Sequence, residues 1–96
     1  MDEATLGDIP GAGEVRIRRR NETTREFRGV FAFRREHEAT LVELLAARAE
    51  LEYHGLIDGE RRRLRVRLTD LSLDTGFAYF QGLGEPFGDA REASAG

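Results

Sequence analysis

Two stretches of the chain alternate arginine with aliphatic residues, and that period of two constrains the fold more than any other feature. Over 14–20, Val15 and Ile17 alternate with Arg16, Arg18 and Arg20. Over 61–70, Leu64, Val66 and Leu68 alternate with Arg63, Arg65 and Arg67. A helix would scatter these side chains around its circumference. A strand places the aliphatic residues on one face and the guanidinium groups on the other. Both stretches are therefore read as half-buried strands with an arginine-bearing outer side.

Further elements follow from the same signals. Asn21, Glu22, Thr23 and Thr24 form a turn, and 25–34 returns as a second strand with Phe27, Phe31 and Phe33 on one face, a helix through Phe27, Val30, Phe31 and Arg34 being the rival reading. The spacing of Leu41, Leu44, Leu45 and Ala49 predicts an amphipathic helix. Thr40 and Glu43 have capping-box spacing. Gly55 is placed as a left-handed C′ residue with Leu56 folding back on Leu51, so the helix is expected to end near His54. Asp58-Gly59 is a turn, and 77–81 is a last strand with Phe77 and Tyr79 on one face and Ala78 and Phe80 on the other. The expected class is α+β. A small antiparallel sheet, in the order ββαββ along the chain, carries one amphipathic helix on its apolar face. Residues 1–13 are expected as a flexible lead-in broken by Gly7, Pro10, Gly11 and Gly13. Residues 82–96 are expected as a flexible tail, leaving 14–81 as the single domain.

Ninety-six residues fit one domain with a modest core, which a homodimer would help. The absence of cysteine excludes disulfides and cysteine-based zinc sites. No apolar run reaches the length of a membrane span, and the acidic N-terminus lacks the pattern of a signal peptide, so the cytoplasm is the expected location and no membrane partner is expected. His37, flanked by Glu36 and Glu38, and His54 are the only histidines, too few and too scattered to argue a metal site. No glycine cluster sits between a strand and a helix, and neither Ser72 nor Ser94 lies in a nucleophile elbow. The chain is thus read as non-enzymatic and cofactor-free.

Charge is segregated along the chain. Residues 14–35 hold eight arginines and three carboxylates, 36–60 one arginine and seven carboxylates, and 61–81 five arginines and two carboxylates. All basic residues are arginine. On a shared sheet, Arg16, Arg18, Arg20, Arg63, Arg65 and Arg67 would line one open face, with Arg28 and Arg34 as additions. Such a face suits an acidic protein partner; nucleic-acid phosphate and self-association through the oppositely charged helix are the alternatives. The competing explanation is that these arginines are merely the solvated side of exposed strands, where charge protects edges.

Two local patterns resemble known families. Residues 51–57 followed by 63–70 resemble the recognition-helix end and wing of bacterial winged-helix regulators, which implies an arginine-rich wing on DNA backbone. The helix that would enter the groove carries Glu38, Glu43, Glu50 and Glu52 against Arg48, the wrong sign for that task. Arg61 and Arg65 with the run from Asp70 to Gly76 resemble the RxxxR and D-x-S-x-x-G pieces of PilZ domains, which implies cyclic di-GMP binding. Here the second piece has one residue too many, and the two pieces lie closer together than in that family.

Overall fold

The computed structural model describes residues 1–88. Six antiparallel strands and one short helix follow one another as β1 (Asp2–Leu6), β2 (Ile9–Arg19), β3 (Arg25–Ala32), α1 (Glu38–Ala46, preceded by a 3-10 turn at Arg35–His37), β4 (Glu50–Ile57), β5 (Glu60–Ser72) and β6 (Phe77–Gly82). The strands close into a barrel in the ring order β1-β2-β3-β6-β5-β4. The α+β class with an antiparallel sheet is present. The ββαββ order is corrected to three strands, a helix and three strands, and the open sheet is corrected to a ring.

Two elements account for the difference. The segment 1–13 is paired rather than free of regular structure: β1 and the first half of β2 form a hairpin from Asp2↔Gly13 to Leu6↔Ile9. Its two-residue turn has Gly7 at φ 60° while Asp8 stays outside the positive-φ region, as a type II′ hairpin requires. The expected helix also stops early. α1 ends at Ala46, Arg48 takes the left-handed conformation (φ 52°), its N–H donates to the Leu45 carbonyl, and the Ala49 N–H donates to the Leu44 carbonyl. That is a Schellman motif built on arginine, seven residues before the expected glycine. Thr40 lies inside the helix rather than at its cap.

Residues 50–57 then run as a strand, with Tyr53, Gly55 and Ile57 buried and Glu50 and Glu52 exposed. Residues 83–88 likewise make hydrogen bonds and contacts to the barrel. Phe87 bridges Arg63, the Leu83 N–H donates to the Arg65 carbonyl, Arg62 donates to the Pro86 and Gly88 carbonyls, and Arg25 pairs with Glu85. The rest of the expected tail, 89–96, lies outside the described residues.

The barrel is filled by large rings where the wall supplies glycine. Phe27, Phe31, Tyr53 and Phe80 are buried, with Leu6, Leu64 and Val66 among them. A Cβ on Gly29 would lie 2.2 Å from Phe80 Cζ, and one on Gly13 would lie 2.5 Å from the Tyr53 hydroxyl. In a small barrel, inward positions must alternate large and small residues to fill the taper. Between Leu68 and Asp70 the β5–β6 register shifts at a bulge, after which Leu71 faces Ala78 and Asp70 faces Tyr79.

β3 and β4 stand three places apart in the ring, so the chain joining them must cross one end of the barrel. α1 makes that crossing, and Leu41 is buried in the core.

The Tyr53 ring packs on Phe80 with centroids 4.9 Å apart, and its hydroxyl is buried without a hydrogen-bond partner in the structure. Burial pushes the phenol from 10.0 up to about 12, with Asp2 adding to the shift. Because the folded-state value is the higher one, the stability linked to this proton is complete below pH 10 and is lost as pH rises toward 12. Tyr53→Phe is expected to gain about 1 kcal/mol at neutral pH by removing an unsatisfied buried hydroxyl. It should also flatten the fall in stability across that alkaline window. Urea melts at pH 7, 10 and 11.5 check both; an unchanged alkaline fall in the variant would refute the assignment.

Candidate functional site

The six arginines expected on one face are all outward and exposed, but they do not share a face. Arg16 and Arg18 belong to β2, Arg20 follows its end, and Arg63, Arg65 and Arg67 belong to β5. β2 and β5 are three places apart whichever way the ring is followed, so they stand on opposite sides of the barrel. Closure of the sheet therefore splits the expected surface in two.

The halves differ in what faces them. Along β4 and β5, Glu50 lies directly opposite Arg67, Glu52 opposite Arg65, and His54 opposite Arg63. Opposite charges in directly opposed positions favour a strand pair, although neither carboxylate comes within ion-pair distance of its arginine. Arg67 also donates to the Arg48 carbonyl. The sequence places these carboxylates on the helix; with 50–57 extended, Glu50 and Glu52 instead stand opposite arginines of β5.

Along β2 and β3 the pairing is unfavourable. Arg16 lies directly opposite Arg28, and Arg19 opposite Arg25. Like charges in opposed positions destabilise the pair. Arg25 is relieved by Glu85, whose hydrogen bond raises its pKa further. Glu26 serves Arg28 at 3.0 Å and Arg20 at 3.6 Å, and lies opposite Arg18 in the ladder. One carboxylate thus faces three guanidinium groups. Arg16 makes no ion pair among the described residues, and neither do Arg63, Arg65 and Arg67 on the other wall.

Beside Arg16 and Arg28 the outer wall has a shallow groove of about 280 Å³, lined by Glu14, Arg16, Arg28, Gly29, Val30 and Tyr79. Val30 and Tyr79 are directly opposed across β3 and β6, and Tyr79 is 40% exposed. The alternation in 77–81 separated Tyr79 from Phe80, but both faces were aromatic, so nothing in the sequence marked Tyr79 as the outward one. Gly29 points inward beneath Phe80, which leaves Val30 and Tyr79 as the groove's apolar wall.

The remaining candidates separate. Residues 51–57 are a strand, which removes the recognition helix that the winged-helix resemblance requires. Arg61 stands near the start of β5 and Gly76 beyond its far end, so the two PilZ-like pieces do not converge. His37 approaches Glu36 at 3.5 Å, and His54 lies on β4 rather than at a helix terminus. Among the described residues, no group of three or more His, Asp or Glu is arranged to hold a metal, and no helix is long and apolar enough to cross a membrane. The Ser72 hydroxyl is engaged by Thr75 at 2.6 Å in the β5–β6 turn. Comparison with protein-family models, curated proteins and solved structures finds no match for the chain.

Proposed function

We propose that this chain is a non-enzymatic binding module that docks an acidic protein surface on the outer wall of β2, β3 and β6. The observation that carries the reading is the opposed pair Arg16 and Arg28 beside the exposed Tyr79. Two like charges held face to face cost stability unless something anionic screens them. An acidic partner would turn that cost into a gain. Arginine and tyrosine are also the side chains that most often dominate protein interfaces, because each offers a large surface together with directed hydrogen bonding. A carboxylate of the partner would take up the guanidinium fork of Arg16, while an apolar side chain would sit between Val30 and Tyr79.

Single-stranded nucleic acid is the second reading, favoured by Tyr79 as an outward stacking surface among arginines. Glu14 and Glu26, both on the same two strands, interrupt the phosphate track that reading needs.

Arg16→Ser combined with Arg28→Ser is expected to weaken binding to a poly-L-glutamate probe about tenfold, while Arg65→Ser combined with Arg67→Ser changes it less than about twofold. The first pair should also leave stability unchanged or raise it by a few tenths of a kcal/mol, roughly the cost of the like-charge pair. Equal losses from both pairs would refute the assignment to this wall. A gel shift with a single-stranded oligonucleotide that collapses steeply with salt would transfer the wall to nucleic acid.

A further inference from the structure

We infer that the unpaired edge of β2 over residues 14–19 takes up an extended acidic segment of a partner as an added strand. β1 is much shorter than β2 and pairs with it only from Ile9 to Gly13. From residue 14 onward β2 is paired to β3 alone. On the other side of the seam, β4 pairs with β1 at His54 and Tyr53, and no pairing is formed along 55–57. Among the described residues, alternate backbone N–H and C=O groups of 14–19 therefore point to a side where they form no ladder, although β4 comes close to β2 across the seam. Such a row is a template for another chain.

Burial supports the same position. Val15 and Ile17 have the inward phase of β2 yet remain half-buried, whereas Phe27 and Phe31 on β3 and Leu64 and Val66 on β5 are fully buried. The core is thinnest where the ladder is incomplete, and a strand laid along the edge would cover these two side chains.

Charge selects the occupant. Pairing with the β2 edge of a second copy would bring the two arginine rows, Arg16 and Arg18 in each copy, together, which opposes self-association. A segment alternating carboxylates with apolar residues would set its carboxylates opposite Arg16 and Arg18 and its apolar side chains over Val15 and Ile17. Six residues of edge span about 20 Å. The sign of the partner rests on the reading above; the added element is the mode of binding, in which backbone bonds supply affinity and alternate side chains supply selectivity.

The test uses the full chain and two capped peptides. One alternates glutamate and valine; the other has the same charge, with prolines in place of two valines. Exchange of the amides in 14–19 is followed by NMR. The first peptide is expected to slow alternate amides of this edge about tenfold and leave β5 unchanged, and the second to bind about tenfold more weakly, because proline cannot donate to a ladder. Equal binding of both peptides with unaltered exchange at 14–19 would overturn strand addition while leaving the acidic-partner reading intact. Binding of neither would overturn both. Protection that grows with protein concentration in the absence of peptide would assign the edge to a second copy and overturn the proposal.

Discussion

Gly29→Ala is expected to lower the melting temperature by roughly 15 °C, the effect of about 3 kcal/mol in a domain of this size. The added methyl would lie 2.2 Å from Phe80 Cζ and 2.5 Å from its Cε1, with the Glu14 carbonyl oxygen 2.8 Å away. The ring cannot simply swing aside. Phe80 is buried and packed on Tyr53, whose hydroxyl already crowds Gly13 and Gly55. The backbone carbonyl cannot move without disturbing the β2–β3 ladder, where Glu14 faces Val30. Phe80→Leu in the same chain should relieve the ring clash and leave the carbonyl clash. The double variant should therefore be more stable than the sum of the single changes implies, by about 1–2 kcal/mol. Thermal melts of the four proteins check this. Strict additivity, or a Gly29→Ala variant melting within about 2 °C of the parent, would show that the wall yields at this point.

The same interior explains which parts of the fold were legible. The period-two arginine runs at 14–20 and 61–70 and the Asp58-Gly59 turn appear in the structure as β2, β5 and the β4–β5 turn. Three glycines have a role other than the one their sequence context suggests. Gly11, Gly13 and Gly55 looked like breaks or caps, yet each is an inward position of a strand where a side chain would strike Phe31 or Tyr53. A sequence pattern shows that glycine is permissive in backbone conformation; it does not show that glycine is also the smallest residue, chosen to make room for a ring. The helix was overextended for a related reason. Leu44, Leu45 and Leu51 fit a period of 3.6, while Leu51, Tyr53 and Ile57 fit a period of 2. The stop signal between the two, Arg48 in the left-handed conformation, is a residue that rarely takes that role.

The arginines face outward as their alternation predicts, but their grouping depends on closure of the sheet. Arg16 and Arg67 belong to similar strands in sequence and to opposite walls in space. What separates them chemically is also invisible in one dimension: Arg67 faces Glu50, and Arg16 faces Arg28. Knowledge of register divides a uniform basic composition into one wall where arginines stand opposite carboxylates and one where Arg16 stands opposite Arg28, and the latter carries the proposed interface.

Leu41→Ala is expected to cost about 3 kcal/mol, near the middle of the range for emptying a fully buried leucine site. Leu41 is the one α1 residue that reaches complete burial, and the helix crosses the barrel end because β3 and β4 lie on opposite sides of the ring. Nothing else in the chain joins those strands, so the cavity left by truncation could collapse only if the helix settled deeper. Leu44 and Leu45, already packed against the core, limit that movement. Val42, next along the helix and 43% exposed, is the control: Val42→Ala should change stability by less than about 0.5 kcal/mol. Urea unfolding of both variants gives the comparison, with equal m-values expected because the same surface is exposed on unfolding. A cost below about 1 kcal/mol for Leu41→Ala would mean that the six strands hold the barrel closed without the helix. The seam between β2 and β4, rather than the helix-covered end, would then be the place where stability is decided.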